Sequence, residues 1–353
     1  MQKIFVSSTG AGSGHSLAVW SLMEVFRSRG IRTGFFKPFV TRPVSHGGTV
    51  VDHDALLIKE YYQLPEPPEV LSPIIPEEVP GDEVAREEQL EKIDDCFQQA
   101  KDDNEVLVIM GSDQIFYEAD SPYIADTSMV VKLDASVVLT ACYQSESMTI
   151  YSVLAIESLL KNRLKMIIIN QIPPEQLDTV QRRLGPLFSK RGLPPVFFLP
   201  QDRILSSVTV RQLIEVVGGS VLAGEDRLEN LVETTSISST HLKGSLNIFR
   251  RIYNKIILLG IEKEALSGPS ASPTVTGIIL TGGRTPAPLV CNTCEDLKVP
   301  LILSPLDTFI TMERIQHQKM HVTHQDDYKL QRFLQLLGGE KARESIVANF
   351  TNL

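Results

Sequence analysis

The chain has 353 residues, 42% hydrophobic and 22% charged, which is enough apolar material for ordinary cores and too much for a disordered chain. Its net charge of −9 argues against nucleic acid and against an anionic membrane as partners, because both require basic surface. Four scattered cysteines make no disulfide framework, no apolar run reaches the roughly 20 residues of a membrane span, and the first residues lack a signal-peptide pattern, so a soluble cytoplasmic protein of two domains is expected.

An apolar strand around Ile4-Phe5-Val6 runs into Ser7-Ser8-Thr9-Gly10-Ala11-Gly12-Ser13-Gly14-His15-Ser16. A helix follows, with Ala18, Leu22, Val25 and Phe26 at helical spacing and Gly30 closing it. A glycine-rich turn between a strand and a helix offers backbone N–H groups and a positive helix end to an anion. The next short strand, Thr33 to Phe39, carries Lys37 at its C-terminal end, and strand-loop-helix-strand is a βαβ unit. Residues 41–56 are polar and include Gly47-Gly48 and Asp52-His53-Asp54. A proline-rich connector and an acidic helix over about 82–103 lead to strands over 105–110, 136–140, 165–169 and 195–199. This alternation predicts an α/β, doubly wound, mainly parallel sheet over residues 1–203.

From residue 204 to 322 the elements restart on a smaller scale. Helices are expected over 209–217 and 244–253, and strands over 220–222, 255–259, 276–280 and 301–303; the fifth of these six elements runs into Thr281-Gly282-Gly283. Residues 323–353 read as a helical tail. Cys291-Asn-Thr-Cys294 is a lone pair on a helix, without the second pair or histidines of a zinc site and without a redox βαβ context.

These motifs, in this order, resemble a dethiobiotin-synthetase-like P-loop domain followed by a DRTGG domain, the arrangement of the N-terminal regulatory half of the long bacterial phosphate acetyltransferases. The resemblance rests on the loop at 8–16, Gly34-Phe35-Phe36-Lys37-Pro38, Asn170 with the prolines after it, the segment 200–205, Leu280-Thr281-Gly282-Gly283 and Asp307-Thr308-Phe309. It implies that an acetyl-transferring domain would follow; about 33 residues remain after residue 320, so acetyl transfer is not expected of this chain by itself.

The family loop has the form Gly-Thr-x-x-Gly-x-Gly-Lys-Thr. Thr9, Gly12 and Gly14 match it, Ser16 is a conservative stand-in, and Ser8 and His15 depart. The resemblance thus implies a nucleotide or phosphate site at Thr9, Gly10, Gly12, Ser13, Gly14, His15 and Ser16, with Asn170 at an adenine-contacting position and ATP or ADP as the ligand class. A neutral imidazole does not supply the permanent charge of the loop lysine. Met110 stands where the family places a glutamate that orients magnesium, and a thioether is a poor ligand for a hard cation. Ser16, Asp52, Asp54 and Asp113 remain the oxygen donors that could face a metal, and magnesium is accordingly doubtful. Lys37 matches the family's second lysine and is the one catalytic candidate. Gly260-Ile261-Glu262 replaces the Gly-Asp-Arg of the second domain, leaving Thr281, Gly282 and Gly283 as its candidate ligand loop.

Each of these positions also has a plainer role: loop aspartates are commonly solvated, an Asn before Ile-Pro-Pro is a good turn residue, and Gly-Gly makes tight turns. The expectation is a regulatory protein, more a binder than an enzyme, that takes a nucleotide or phosphorylated metabolite, forms a homo-oligomer and works with a separate metabolic enzyme. An active magnesium- and ATP-dependent ATPase or ligase and a ligand-free structural protein stand as alternatives.

Overall fold

Parallel strands buried on both faces need unbroken apolar runs, and the first two hundred residues supply them. The computed structural model describes residues 1–10, 12–76, 83–112, 115, 124–237, 256–261, 274–317 and 322–351. The chain begins with β1 (Gln2–Ser8), α1 (His15–Arg27), β2 (Thr33–Phe36), β3 (Pro43–His46), β4 (Thr49–Asp52), α2 (His53–Tyr62), α3 (Pro68–Leu71) and α4 (Glu83–Lys101). It continues with β5 (Val106–Met110), α5 (Asp126–Lys132), β6 (Ser136–Cys142), α6 (Glu146–Leu160), β7 (Leu164–Ile172), α7 (Leu177–Lys190) and β8 (Val196–Pro200). Six of these strands form one sheet in the order β2-β5-β1-β6-β7-β8, every neighbouring pair parallel. The α/β, doubly wound architecture is therefore present.

Register decides what this sheet offers at its C-terminal edge. Val6 lies beside Met110, Ser8 beside Thr140, and Cys142 beside Asn170. The ends of β1, β5, β6 and β7 thus sit in a row, where open α/β sheets bind ligands. α1 packs behind them on a face of Leu17, Trp20, Met23 and Phe26, and the Trp20 and Tyr61 rings meet edge to face at 4.9 Å.

The polar stretch 41–56 contains a hairpin that its composition did not announce. β3 and β4 pair antiparallel around Gly47-Gly48, both with positive φ (59° and 85°), as a tight two-residue hairpin turn requires. Its base brings Arg42 and Asp52 together: the Thr41 and Arg42 N–H groups donate to Asp52 Oδ2, and the His53 N–H donates to the Arg42 carbonyl.

A second compact unit, Arg203–His321, contains α8 (Arg203–Ser206), β9 (Val208–Thr209), α9 (Val210–Val217), β10 (Ser220–Ala223), β11 (Leu231–Val232) and β12 (Thr234–Ile237). Then follow β13 (Ile256–Ile261), β14 (Thr274–Leu280), α10 (Pro288–Leu297), β15 (Leu301–Leu303) and α11 (Thr308–His317). Its main sheet runs β10-β15-β14-β13-β12, with only β14 and β15 parallel. Both faces are covered, as the two-residue alternation of β14 dictates. Ile278 and Leu280 pack with Val290, Cys294 and Leu301, while Ile279 joins Val210, Leu213 and Ile302 on the other side. The helix expected over 244–253 lies outside the described residues.

The chain ends in α12 (Asp327–Leu337) and α13 (Glu340–Phe350). Residues 323–353, which the sequence separates as a tail, belong together with Val322 to the first compact unit with Met1–Asp202. Both helices contact α1, and α12 also contacts β8. The physical cause is their apolar stripe, since Leu330, Phe333, Leu334 and Leu337 are all buried.

Candidate functional site

The loop between β1 and α1 is held by hydroxyls. Ser13 is buried, and its Oγ lies 2.8 Å from Ser8 Oγ and 3.0 Å from Thr140 Oγ1. The Thr9 N–H donates to the Thr140 carbonyl at 3.0 Å, tying the start of the loop to β6. Gly12 and Gly14 have φ of 77° and 85°, values that side chains rarely adopt. Gly14 is needed for a second reason: a Cβ there would sit 2.6 Å from Asn170 Nδ2 and 3.4 Å from Phe333 Cε2. Gly14 also starts α1, and no side chain caps that helix end, so its first-turn N–H groups and its dipole face the loop.

Asn170 is turned toward the loop backbone. Its Nδ2 donates to the Ser13 carbonyl at 3.2 Å and its Oδ1 accepts from the Gln171 N–H at 2.8 Å. The neighbouring Gln171 adds a donor to the Gly12 carbonyl. In this arrangement Asn170 braces the loop.

His15, at the lysine position, is buried and donates from Nε2 to the Val6 carbonyl at 2.9 Å. Lys37 is also buried. Its Nζ donates to both carboxylate oxygens of Asp52 at 2.9 Å and to Asp54 Oδ2 at 2.8 Å. Burial opposes the Lys37 charge, but the two carboxylates more than offset this and its pKa is raised. Burial likewise opposes the Asp54 charge, and Lys37 and Arg42 reverse the effect, holding its carboxyl well below the usual range. Asp52 caps α2 through the Asp54 and Ala55 N–H groups while holding Lys37, Thr41 and Arg42. Two cations therefore face two anions, a balanced buried cluster beside the loop.

Arg42 links this cluster to the loop. Its Nη1 lies 3.0 Å from Ser16 Oγ and 3.2 Å from Asp54 Oδ1. Sequence reasoning missed it, because proximity to Ser16 depends on the Gly47-Gly48 hairpin. Met110 ends β5 fully buried, and Asp113 lies outside the described residues. Among the described residues, no group of three or more His, Cys, Asp or Glu side chains is placed to hold a metal ion.

A second missed residue is Asp126, which opens α5 and reaches back beneath β1 and β5. It accepts from Ser7 Oγ and, at 2.9 Å, from the Ser112 N–H. Burial raises its pKa to about 6, against the opposing effect of the Ser112 and Ser7 hydrogen bonds and of His15. A Cβ on Gly111 would meet Asp126 Oδ2 at 2.4 Å, so only glycine fits after Met110. An aspartate in the first turn of a helix is common, and nothing around Asp126 in the sequence marks it.

In the second unit the Gly-Gly turn is closed on itself. The Gly282 N–H donates to the Leu306 carbonyl at 2.7 Å and the Gly283 N–H to the Ser304 carbonyl at 3.0 Å. Thr281 Oγ1 meets Thr308 Oγ1 at 2.7 Å. Both glycine N–H groups are thus directed at the chain itself. Cys294 is a core residue of α10, and burial pushes its thiol up to about 12. Glu262 lies outside the described residues.

Comparison with known proteins matches residues 2–218, more than half of the chain, to a family described as an AAA domain, whose members carry a P-loop. The chain belongs to this AAA-domain family. A DRTGG domain matches residues 212–318. The AAA-domain chain is similar to a phosphate acetyltransferase of Synechocystis sp. (strain ATCC 27184 / PCC 6803 / Kazusa), 24% identical over 96% of the chain and 51% of that protein. It is also similar to the phosphate acetyltransferase of Nitratidesulfovibrio vulgaris, 21% identical over 94% of the chain and 49% of the relative. It therefore spans about half the length of these relatives, corresponding to their N-terminal half. Among solved structures it is similar to the septum site-determining protein MinD complexed with Mg-ADP from Pyrococcus horikoshii OT3. The identity there is 15%, the TM-score 0.32, and the match covers 58% of this chain and 84% of that one. No helix among the described residues is long and apolar enough to cross a membrane.

Proposed function

We propose that this AAA-domain protein is a cytoplasmic regulatory binder of a nucleotide or another phosphorylated metabolite at its P-loop, with little or no turnover. The observation that carries this reading is the commitment of Lys37 to Asp52 and Asp54 while His15 holds the Val6 carbonyl. Phosphoryl transfer works by clamping developing charge with cations. Here the residues at both lysine positions face protein groups, and Met110 replaces the strand-end carboxylate. Loss of one such clamp typically costs about 3–4 kcal/mol of transition-state stabilisation. Binding needs less, because the loop N–H groups and the uncapped end of α1 suffice for an anion.

The relatives named phosphate acetyltransferase support a regulatory role toward an enzyme of that kind. An assembly of like chains belongs to the same proposal; the outward face of α6, with Met148, Tyr151 and Leu159 exposed, supports it.

Calorimetric titration with ATP, ADP and acetyl phosphate, with and without magnesium, tests the reading. The expected result is saturable binding without phosphate release, and tighter ADP binding by His15→Lys. Magnesium-dependent release of phosphate by the wild-type protein would overturn the proposal in favour of an ATP-dependent enzyme. No heat with any of the three, in either protein, would favour a ligand-free scaffold.

A further inference from the structure

In a P-loop the hydroxyl that follows the lysine position faces a magnesium ion, which also needs carboxylate or water oxygens in octahedral array. Ser16 is that hydroxyl, and Asp54 is the carboxylate of the neighbouring cluster that shares a side-chain partner with it. A single nitrogen, Arg42 Nη1, lies between them, 3.0 Å from Ser16 Oγ and 3.2 Å from Asp54 Oδ1. The other oxygen of Asp54 is taken by Lys37, both oxygens of Asp52 are taken, and Met110 contributes none. This donor set does not fit a hard divalent ion. It fits a guanidinium, whose planar array of N–H donors can meet a hydroxyl, a carboxylate and a phosphate together.

We infer that Arg42 is the resident cation of the phosphate site, placed between Ser16 and Asp54 where a divalent ion would stand, so that phosphate binding here is independent of magnesium. The inference rests on the P-loop being a phosphate site, as proposed above. Two backbone contacts hold Arg42 in place. Its own N–H is bound to Asp52, its carbonyl accepts from His53, and both contacts lie at the base of the β3–β4 hairpin. Its side chain is 18% exposed, buried enough to be ordered and open enough to be reached by a ligand. Asp54, kept ionised by Lys37 and Arg42, provides a fixed counter-charge. The assignment also gives Lys37 a role distinct from catalysis, since it neutralises the carboxylates that position Arg42.

The test is calorimetric titration of the full chain with ADP and with inorganic pyrophosphate, in EDTA and in excess magnesium, for the wild type, Arg42→Gln and Arg42→Lys. Thermal melts of each protein accompany the titrations. The wild type should bind equally under both conditions, to within about twofold. Arg42→Gln should lose roughly 10- to 100-fold in EDTA, the worth of one charge-assisted hydrogen bond, and Arg42→Lys should recover part of it. With the guanidinium gone, the Ser16 and Asp54 oxygens become available, so magnesium should strengthen binding by Arg42→Gln, and manganese should enhance water-proton relaxation in that variant alone. Wild-type binding that requires magnesium would overturn the role of Arg42 and leave the P-loop reading standing, as would a folded Arg42→Gln that binds like the wild type. No binding of either probe by any of the proteins would overturn the P-loop reading itself and this inference with it.

Discussion

Asp126 combines burial with a titration near neutrality, and its sign can be worked through. Its pKa is about 6 in the folded protein against an ordinary value of 3.8, so the folded state binds the proton more tightly. Its contribution to stability is complete below the ordinary value and is lost as the pH rises through about 6; the change is worth about 3 kcal/mol. Asp126→Asn keeps an acceptor for the Ser112 N–H and offers a donor to Ser7. Its stability relative to the wild type should therefore rise between pH 4 and pH 7, by up to about 3 kcal/mol, as read from urea midpoints across that range. A parallel pH dependence in the two proteins would refute the assignment. At this scale the sequence was legible for the loop glycines and for the departures at His15 and Met110. It was silent on Arg42 and Asp126, because each reaches the site from an element remote in the chain. Lys37 was visible as a strand-end cation; that it is spent on Asp52 and Asp54 depends on where α2 begins.

At the scale of elements, the strands of the first sheet could be read from their apolar runs, but their order could not, because β5 lies between β1 and β2 and that pairing of distant segments leaves no local mark. The β3–β4 hairpin was hidden behind polar composition, although Gly47-Gly48 between two β-type segments is a hairpin signal. The docking of α12 was hidden for a different reason. An amphipathic stripe tells that a face will be covered, not what covers it. Here the cover is α1 and the loop: Phe333 is fully buried, and its ring is the second neighbour of a Cβ built on Gly14. Phe333→Ala should cost about 3–5 kcal/mol of stability, as truncation of a buried aromatic ring does, seen as a lower urea midpoint with an unchanged slope. The same substitution should weaken ADP binding, because it removes a support of the residue that starts α1. An unaltered midpoint would mean that α12 is not part of the folded core.

At the scale of the whole molecule, the first unit is built from two stretches of chain, with residues 203–321 inserted between them. A boundary after residue 203 is suggested by the sequence, but there is no sign in it that the chain returns. Both breaks fall in polar stretches, and contacts between distant segments leave no local mark. Replacing residues 203–321 by a flexible glycine-serine linker should leave a protein that unfolds in a single cooperative urea transition followed by circular dichroism. The fragment 1–202, which lacks α12 and α13, should unfold at lower urea with a broadened transition and should bind a hydrophobic dye. Equal behaviour of the two would show that α12 and α13 are dispensable to the first unit.

The return of the chain to its first unit also orders events during synthesis. When Asp202 leaves the ribosome, all the strands of the first sheet are present, but α1 still lacks the helices that cover it. Residues 203–350 must then be made, which takes roughly 7–30 s at ordinary translation rates. Through that interval the nascent chain carries an uncovered apolar face, bordered by the glycine loop, while the inserted unit forms. The first half of the molecule to be translated is thus the last to be completed, and a ligand taken up at the loop would find its full support only after α12 has emerged.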